Sequence, residues 1–189
     1  MAVNMTKGQR ISLDKPGGQL TLVRMGLGWD AVKKRGLFGS REQEIDLDAS
    51  VVLLAGDQLV DAVYFGKLTS DDGSVRHTGD NLTGAGDGDD ESIIVDLTRV
   101  PVHVTSLIFT VSSFQGQDFN QIANAFCRLV DETNGTELAR YELSGGGQHT
   151  GNVMAKLYRH QGGWKLNAIG EPTSGRTLRD LLPAVLSYA

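Results

Sequence analysis

The stretch Glu44-Ile45-Asp46-Leu47-Asp48-Ala49-Ser50-Val51-Val52-Leu53-Leu54 alternates with a period of two, so Ile45, Leu47 and Ala49 share one face of an extended chain and Asp46 and Asp48 the other. It reads as a strand. A Gly56-Asp57 turn follows, and Leu59-Val60-Asp61-Ala62-Val63-Tyr64-Phe65 is a second apolar strand. The same grammar extends in both directions. Upstream, Gln9-Arg10-Ile11-Ser12-Leu13 alternates and Leu20-Thr21-Leu22-Val23-Arg24-Met25-Gly26-Leu27 follows a Pro16-Gly17-Gly18 turn, while the basic segment 33–42 reads as an exposed loop. Downstream, Asp71-Asp72-Gly73-Ser74 is a hairpin turn into residues 75–78, and 92–97 and 104–112 are β-branched and apolar, separated by Pro101. Residues 119–124 can make one helical turn, whereas 125–131 reads as a strand joined by Thr133-Asn134-Gly135-Thr136 to another at 138–143. A last hairpin, 153–159 with 164–169, turns at Gln161-Gly162-Gly163. Helical spacing is clear only at the C-terminal end, where Leu178, Leu181, Leu182, Val185 and Leu186 follow the cap candidate Thr177, with Pro183 bending or ending the helix. About ten strands and one late helix predict a mainly β protein: a two-sheet antiparallel β-sandwich with a short C-terminal helix, in a single domain spanning 1–189.

Composition narrows the function. A net charge of −5 with no basic run longer than Lys33-Lys34-Arg35 argues against nucleic acid as a partner. One cysteine, Cys127, excludes an internal disulfide, and without a Cys/His cluster structural zinc has no ligand set. The N-terminus lacks a signal-peptide core and no apolar run reaches membrane-spanning length, so the expectation is a cytoplasmic protein with no transmembrane segment. No nucleophile elbow, phosphate loop or Ser/His constellation accompanies the acids, so no enzyme activity is expected.

The densest chemistry lies in Gly79-Asp80-Asn81-Leu82-Thr83-Gly84-Ala85-Gly86-Asp87-Gly88-Asp89-Asp90-Glu91, five carboxylates and four glycines in thirteen residues. Like charges this close repel unless a cation or water intervenes. Calcium, which accepts six to eight oxygens in an irregular shell, suits such a loop better than magnesium. A solvated acidic turn, its Asp and Asn side chains bonding their own backbone, is the alternative. The candidate metal ligands are Asp80, Asn81, Asp87, Asp89, Asp90 and Glu91, with Asp30, Asp46 and Asp48 ranking behind them. Their summed charge exceeds what one ion neutralises, which predicts two Ca2+ ions. The spacing is not that of an EF-hand, since the glycine at position six and the glutamate at position twelve are missing. His77 beside the loop suits hydrogen bonding better than calcium, Cys127 reads as a buried thiol, and Trp29 and Trp164 read as core anchors.

Taken together, Gly26-Leu27-Gly28-Trp29-Asp30, Asp46-Leu47-Asp48-Ala49-Ser50, the 79–91 loop and Trp164-Lys165 with Gly170 resemble the TerD family of tellurium-resistance and stress-response proteins, over nearly the whole chain. The resemblance implies a calcium-binding β-sandwich with calcium ions as its primary partner. It also implies association with other tellurium-resistance proteins at the inner face of the membrane. Ala85 departs from the family pattern, where an acid is common, which leaves this loop one carboxylate short. The competing function is a calcium-dependent binder of a membrane surface, glycan or small ligand, by analogy with C2 domains and lectins.

Overall fold

Alternation at period two organises the chain into two six-stranded sheets, seen in a computed structural model that describes residues 2–15, 18–30, 32–36, 39–43, 45–79, 88–143 and 147–189. The first sheet runs, in spatial order, β1 (Val3–Asn4), β14 (Thr136–Glu142), β13 (Ala123–Asp131), β5 (Leu22–Asp30), β11 (Glu91–Asp96) and β10 (Val75–His77). The second runs β2 (Arg10–Ser12), β16 (Gly163–Thr173), β15 (Gly151–His160), β12 (Ser106–Ser113), β8 (Leu47–Ala55) and β9 (Gln58–Val63). Neighbouring strands within each sheet are antiparallel except β1, which lies parallel to β14. The predicted sandwich is therefore the observed one. A 3-10 turn at Phe119–Gln121 precedes β13, as the reading of 119–124 allowed.

The core lies between the sheets. In β5 the inward residues Val23, Met25, Leu27 and Trp29 are buried, and they belong to one apolar cluster with Leu47, Ala49, Val51 and Leu53 of β8 and Leu107, Phe109 and Val111 of β12. A second cluster forms outside the sandwich, where Leu181 and Val185 of helix α1 (Leu178–Leu186) cover Val52, Leu54, Ile108, Val153 and Ile169. Burying each such side chain contributes about 1.5–3 kcal/mol. β8 is thus buried on both faces, which explains its near-continuous apolar run.

One expectation needs correction. Segment 33–42 is not a loop: β6 (Val32–Gly36) pairs with β7 (Gly39–Gln43), from Val32 opposite Gln43 to Gly36 opposite Gly39. Ladder hydrogen bonds need no apolar face, so a charged hairpin leaves no alternation to read. Pro183 does not end α1, which continues to Leu186; the ring removes only the N–H that would reach the Arg179 carbonyl. A further short hairpin joins β3 (Asp14–Lys15) to β4 (Gly18–Gln19). Among the described residues no helix is long and apolar enough to cross a membrane.

Candidate functional site

Because β5 turns its odd-numbered residues inward, Arg24, Gly26, Gly28 and Asp30 occupy its outer face. The two glycines leave a bare strip of backbone, and the end of the acidic loop lies flat on it. A Cβ at Gly26 would come within 2.2 Å of Asp89 Cγ, and one at Gly28 within 2.6 Å of the Gly88 carbonyl oxygen. Glycine is required here by the close approach of a second chain segment.

Asp89 is the point of attachment. Its side chain is 4% exposed, and both oxygens accept hydrogen bonds from arginines: Oδ1 from Arg128 Nε of β13 at 2.6 Å, Oδ2 from Arg24 Nη1 of β5. Each arginine is itself braced, Arg24 Nε by Glu132 at 2.8 Å and Arg128 Nη1 by Glu137 at 3.0 Å. Glu137 also accepts from Arg140, whose guanidinium stacks 4.0 Å above the Phe126 ring. The Arg140 contact, with help from Arg128 and against some burial, holds the Glu137 carboxyl below its ordinary value. Charge-assisted bonds of this kind are about twice as strong as neutral ones.

The next two residues fasten the loop to both sheets. The Asp90 amide donates to the Leu27 carbonyl at 2.8 Å, and Asp90 Oδ2 accepts from the Trp29 amide at 2.9 Å. Glu91, opposite Leu27 in the β11–β5 register, is 1% exposed and accepts the Ala49 amide of β8 on Oε2 at 2.7 Å, a bond that crosses from one sheet to the other. His77 Nε2 lies 3.4 Å from that oxygen and 3.2 Å from the Ala49 carbonyl. Since Nδ1 accepts the Gly79 amide at 3.1 Å, a ring proton is assigned to Nε2. His77 therefore anchors the near end of the loop by hydrogen bonding, as its sequence position suggested.

The second-rank acids gather at the same end. Trp29 Nε1 donates to the Ile45 carbonyl at 2.8 Å, and the Asp46 carbonyl accepts from Phe114 at 3.0 Å, so the approach to β8 is tied to β5 of the other sheet and to the residue after β12. Asp46 and Asp48 are buried, with Asp48 on the outward side of β8 opposite Ser112. Asp30 is exposed and accepts from Asn124 Nδ2 at 2.5 Å. Asp80, Asn81 and Asp87, with Ala85, lie outside the described residues. Among the described residues no three His, Cys, Asp or Glu side chains form a group able to hold a metal ion.

Sequence reasoning missed Arg24, Arg128, Gly26 and Gly28 as parts of the site. The available signal was the pair of glycines two apart inside an apolar strand, which marks close backbone approach. Cys127 and both tryptophans are buried, as expected, and burial pushes the Cys127 thiol up to about 12.

Comparison with known proteins adds the following. A family model described as the TerD domain matches residues 1–184. The chain is 49% identical to Tellurium resistance protein TerZ of Serratia marcescens, covering 98% of this chain and 97% of that one. It is 42% identical to Stress response protein SCP2 of Bacillus subtilis, over 96% and 98% of the two. A crystal structure of a homologue of telluride resistance protein (TerD) from Streptomyces coelicolor superposes with a TM-score of 0.69 at 21% identity, covering 82% of this chain and 92% of the other.

Proposed function

The chain belongs to the TerD domain family, and on that premise we propose that it serves in tellurium resistance and stress response as a calcium-binding module carrying two ions at the foot of the 79–91 loop. One observation carries the reading. Segment 88–91 is bolted to β5, β8 and β13 at the end of the sandwich where Asp30, Asp46 and Asp48 also lie, so a fixed frame surrounds an acid-rich segment. The donors are all oxygen and several are charged, which is calcium chemistry.

The fit is uneven across the residues. Asp89 has both oxygens committed to arginines, and Glu91 directs Oε2 at the Ala49 amide. In this reading these two hold the loop, and the ions draw on Asp80, Asn81, Asp87 and Asp90, with Asp30, Asp46 and Asp48. Calcium, when bound, supplies the positive charge that offsets the carboxylates. Direct thiol chemistry on tellurium is not part of the proposal, because Cys127 is buried and its thiolate disfavoured.

Calorimetric titration of chelator-treated protein with calcium and with magnesium tests this. Two calcium equivalents are expected, weakened by Asp90→Ala or Asp48→Ala, with stoichiometry kept in Asp89→Asn. Calcium at about 100 times its dissociation constant adds roughly 2.7 kcal/mol of stability. A melting temperature insensitive to chelator and calcium, with no heat of binding, would refute it.

A further inference from the structure

The outer face of the second sheet carries an unassigned recess far in register from the acidic loop. Arg10 of β2, Asn167 of β16 and Lys156 of β15 stand abreast, each opposite the next in the ladder. One step along, Ser12, Lys165 and Tyr158 form a second row on the same face. These six positions hold three cations and no carboxylate, on a chain whose net charge is −5. The C-terminal end closes one side: Lys156 Nζ donates to the Tyr188 carbonyl at 2.6 Å, and Arg10, Lys156, Tyr158, Asn167 and Tyr188 line a cavity of about 260 Å3.

Among the described residues, no carboxylate within ion-pair distance neutralises Arg10 or Lys156. Glu171, four residues beyond Asn167 on the same strand, is paired with Lys7 at 2.5 Å and accepts the Tyr188 hydroxyl, so its charge is balanced at the edge of the recess. Burial lowers the Lys156 ammonium below its ordinary value, so its charge is held at a cost that no described acid offsets. Cations focused by low-dielectric walls concentrate anions. A guanidinium fork, an ammonium, an amide and the Tyr158 phenol are the donor set that recognises the several oxygens of a phosphoryl group, the Tyr188 hydroxyl being bonded to Glu171. The volume lies below the roughly 300–1,000 Å3 of sites for drug-sized ligands, which restricts the occupant to a small anion or one head group.

We propose that the recess formed by Arg10, Lys156, Tyr158, Asn167 and Tyr188 binds a single phosphoryl-type oxyanion. The site shares no residue with the acidic loop and does not depend on the calcium reading. Its test is titration of the chelator-treated full chain with inorganic phosphate at constant ionic strength, chloride being the control salt. One saturable equivalent is expected, weakened at least tenfold in Arg10→Gln and further in Arg10→Gln with Lys156→Gln, and unchanged in Arg76→Gln on the exposed face of β10 in the other sheet. Arg10 is exposed, so its replacement leaves the fold intact and keeps the result readable if Lys156→Gln is unstable. Sedimentation with phosphatidic acid vesicles, measured on the same variants, separates the sources. Vesicle binding lost with Arg10 assigns the phosphoryl group to lipid, and saturable phosphate binding assigns it to a soluble ligand. Response to neither, or equal response in all variants, overturns the site.

Discussion

Gly26→Ala should reverse the sign of its effect according to what lies at position 89. Alanine is the better residue in an ordinary strand, and replacing glycine where the backbone allows it stabilises by about 0.4–1 kcal/mol. Here the new methyl would lie 2.2 Å from the Asp89 carboxyl carbon, so Asp89 must leave and its bonds to Arg24 and Arg128 are lost. Two charge-assisted bonds are each worth about 1.5–3 kcal/mol. The arginines are 22% and 23% exposed and keep Glu132 and Glu137, so water and these acids recover part of that. Taking about 3 kcal/mol for the pair and subtracting the gain leaves a net loss of about 2 kcal/mol. At roughly 2–4 °C per kcal/mol for a chain of this size, the melting temperature falls by about 4–8 °C. In an Asp89→Ala background the obstacle is gone, and Gly26→Ala becomes neutral or stabilising. Urea unfolding of the four proteins in the cycle measures the coupling, expected at about 2–3 kcal/mol. Additive effects of the two substitutions would show that Asp89 does not rest on Gly26, and the attachment derived for the loop would fail.

Two further outcomes follow from other regions. Leu181→Ala empties the centre of the cluster under α1 and should cost about 2–5 kcal/mol in urea unfolding with little change in slope; a loss under about 1 kcal/mol would mean that α1 is not packed as described. Burial lowers the His149 imidazole below its ordinary value, Asp118 opposing in part, so the folded state disfavours the proton that the unfolded chain accepts. Its contribution is complete above pH of about 6.5 and is lost as pH falls toward the folded value. His149→Phe, which keeps an aromatic ring on Phe119 at the present 4.9 Å stack, should flatten the stability–pH slope below that point; an unchanged slope counts against the assignment.

Alternation made most of the sandwich legible. The strands at Leu47–Ala55 and Ser106–Ser113 announce themselves because burial on one face or both demands apolar residues at fixed spacing. The hairpin of β6 and β7 was invisible for the opposite reason, since residues 33–42 show no apolar alternation. At the site, the acids were found by density, which is a local property. Their separate duties were not, because whether Asp89 meets an arginine depends on the register that sets Arg128 of β13 beside Gly26 of β5, with strands β6 to β12 between them in sequence. Strand order is likewise set by which faces fit, and no window of residues contains it.

The chain order of the edge strands has a consequence for synthesis. Val3–Asn4 adds to Thr136–Glu142 in one sheet, and Arg10–Ser12 adds to Gly163–Thr173 in the other. Each sheet is therefore completed at one edge by a short segment that is made well before its partner strand and pairs late. Contacts so distant in sequence are slow to form. Until β16 is made, these sheet edges stay unfinished, and a chaperone that shields residues 3–12 would act at the step where intermolecular pairing competes with closure.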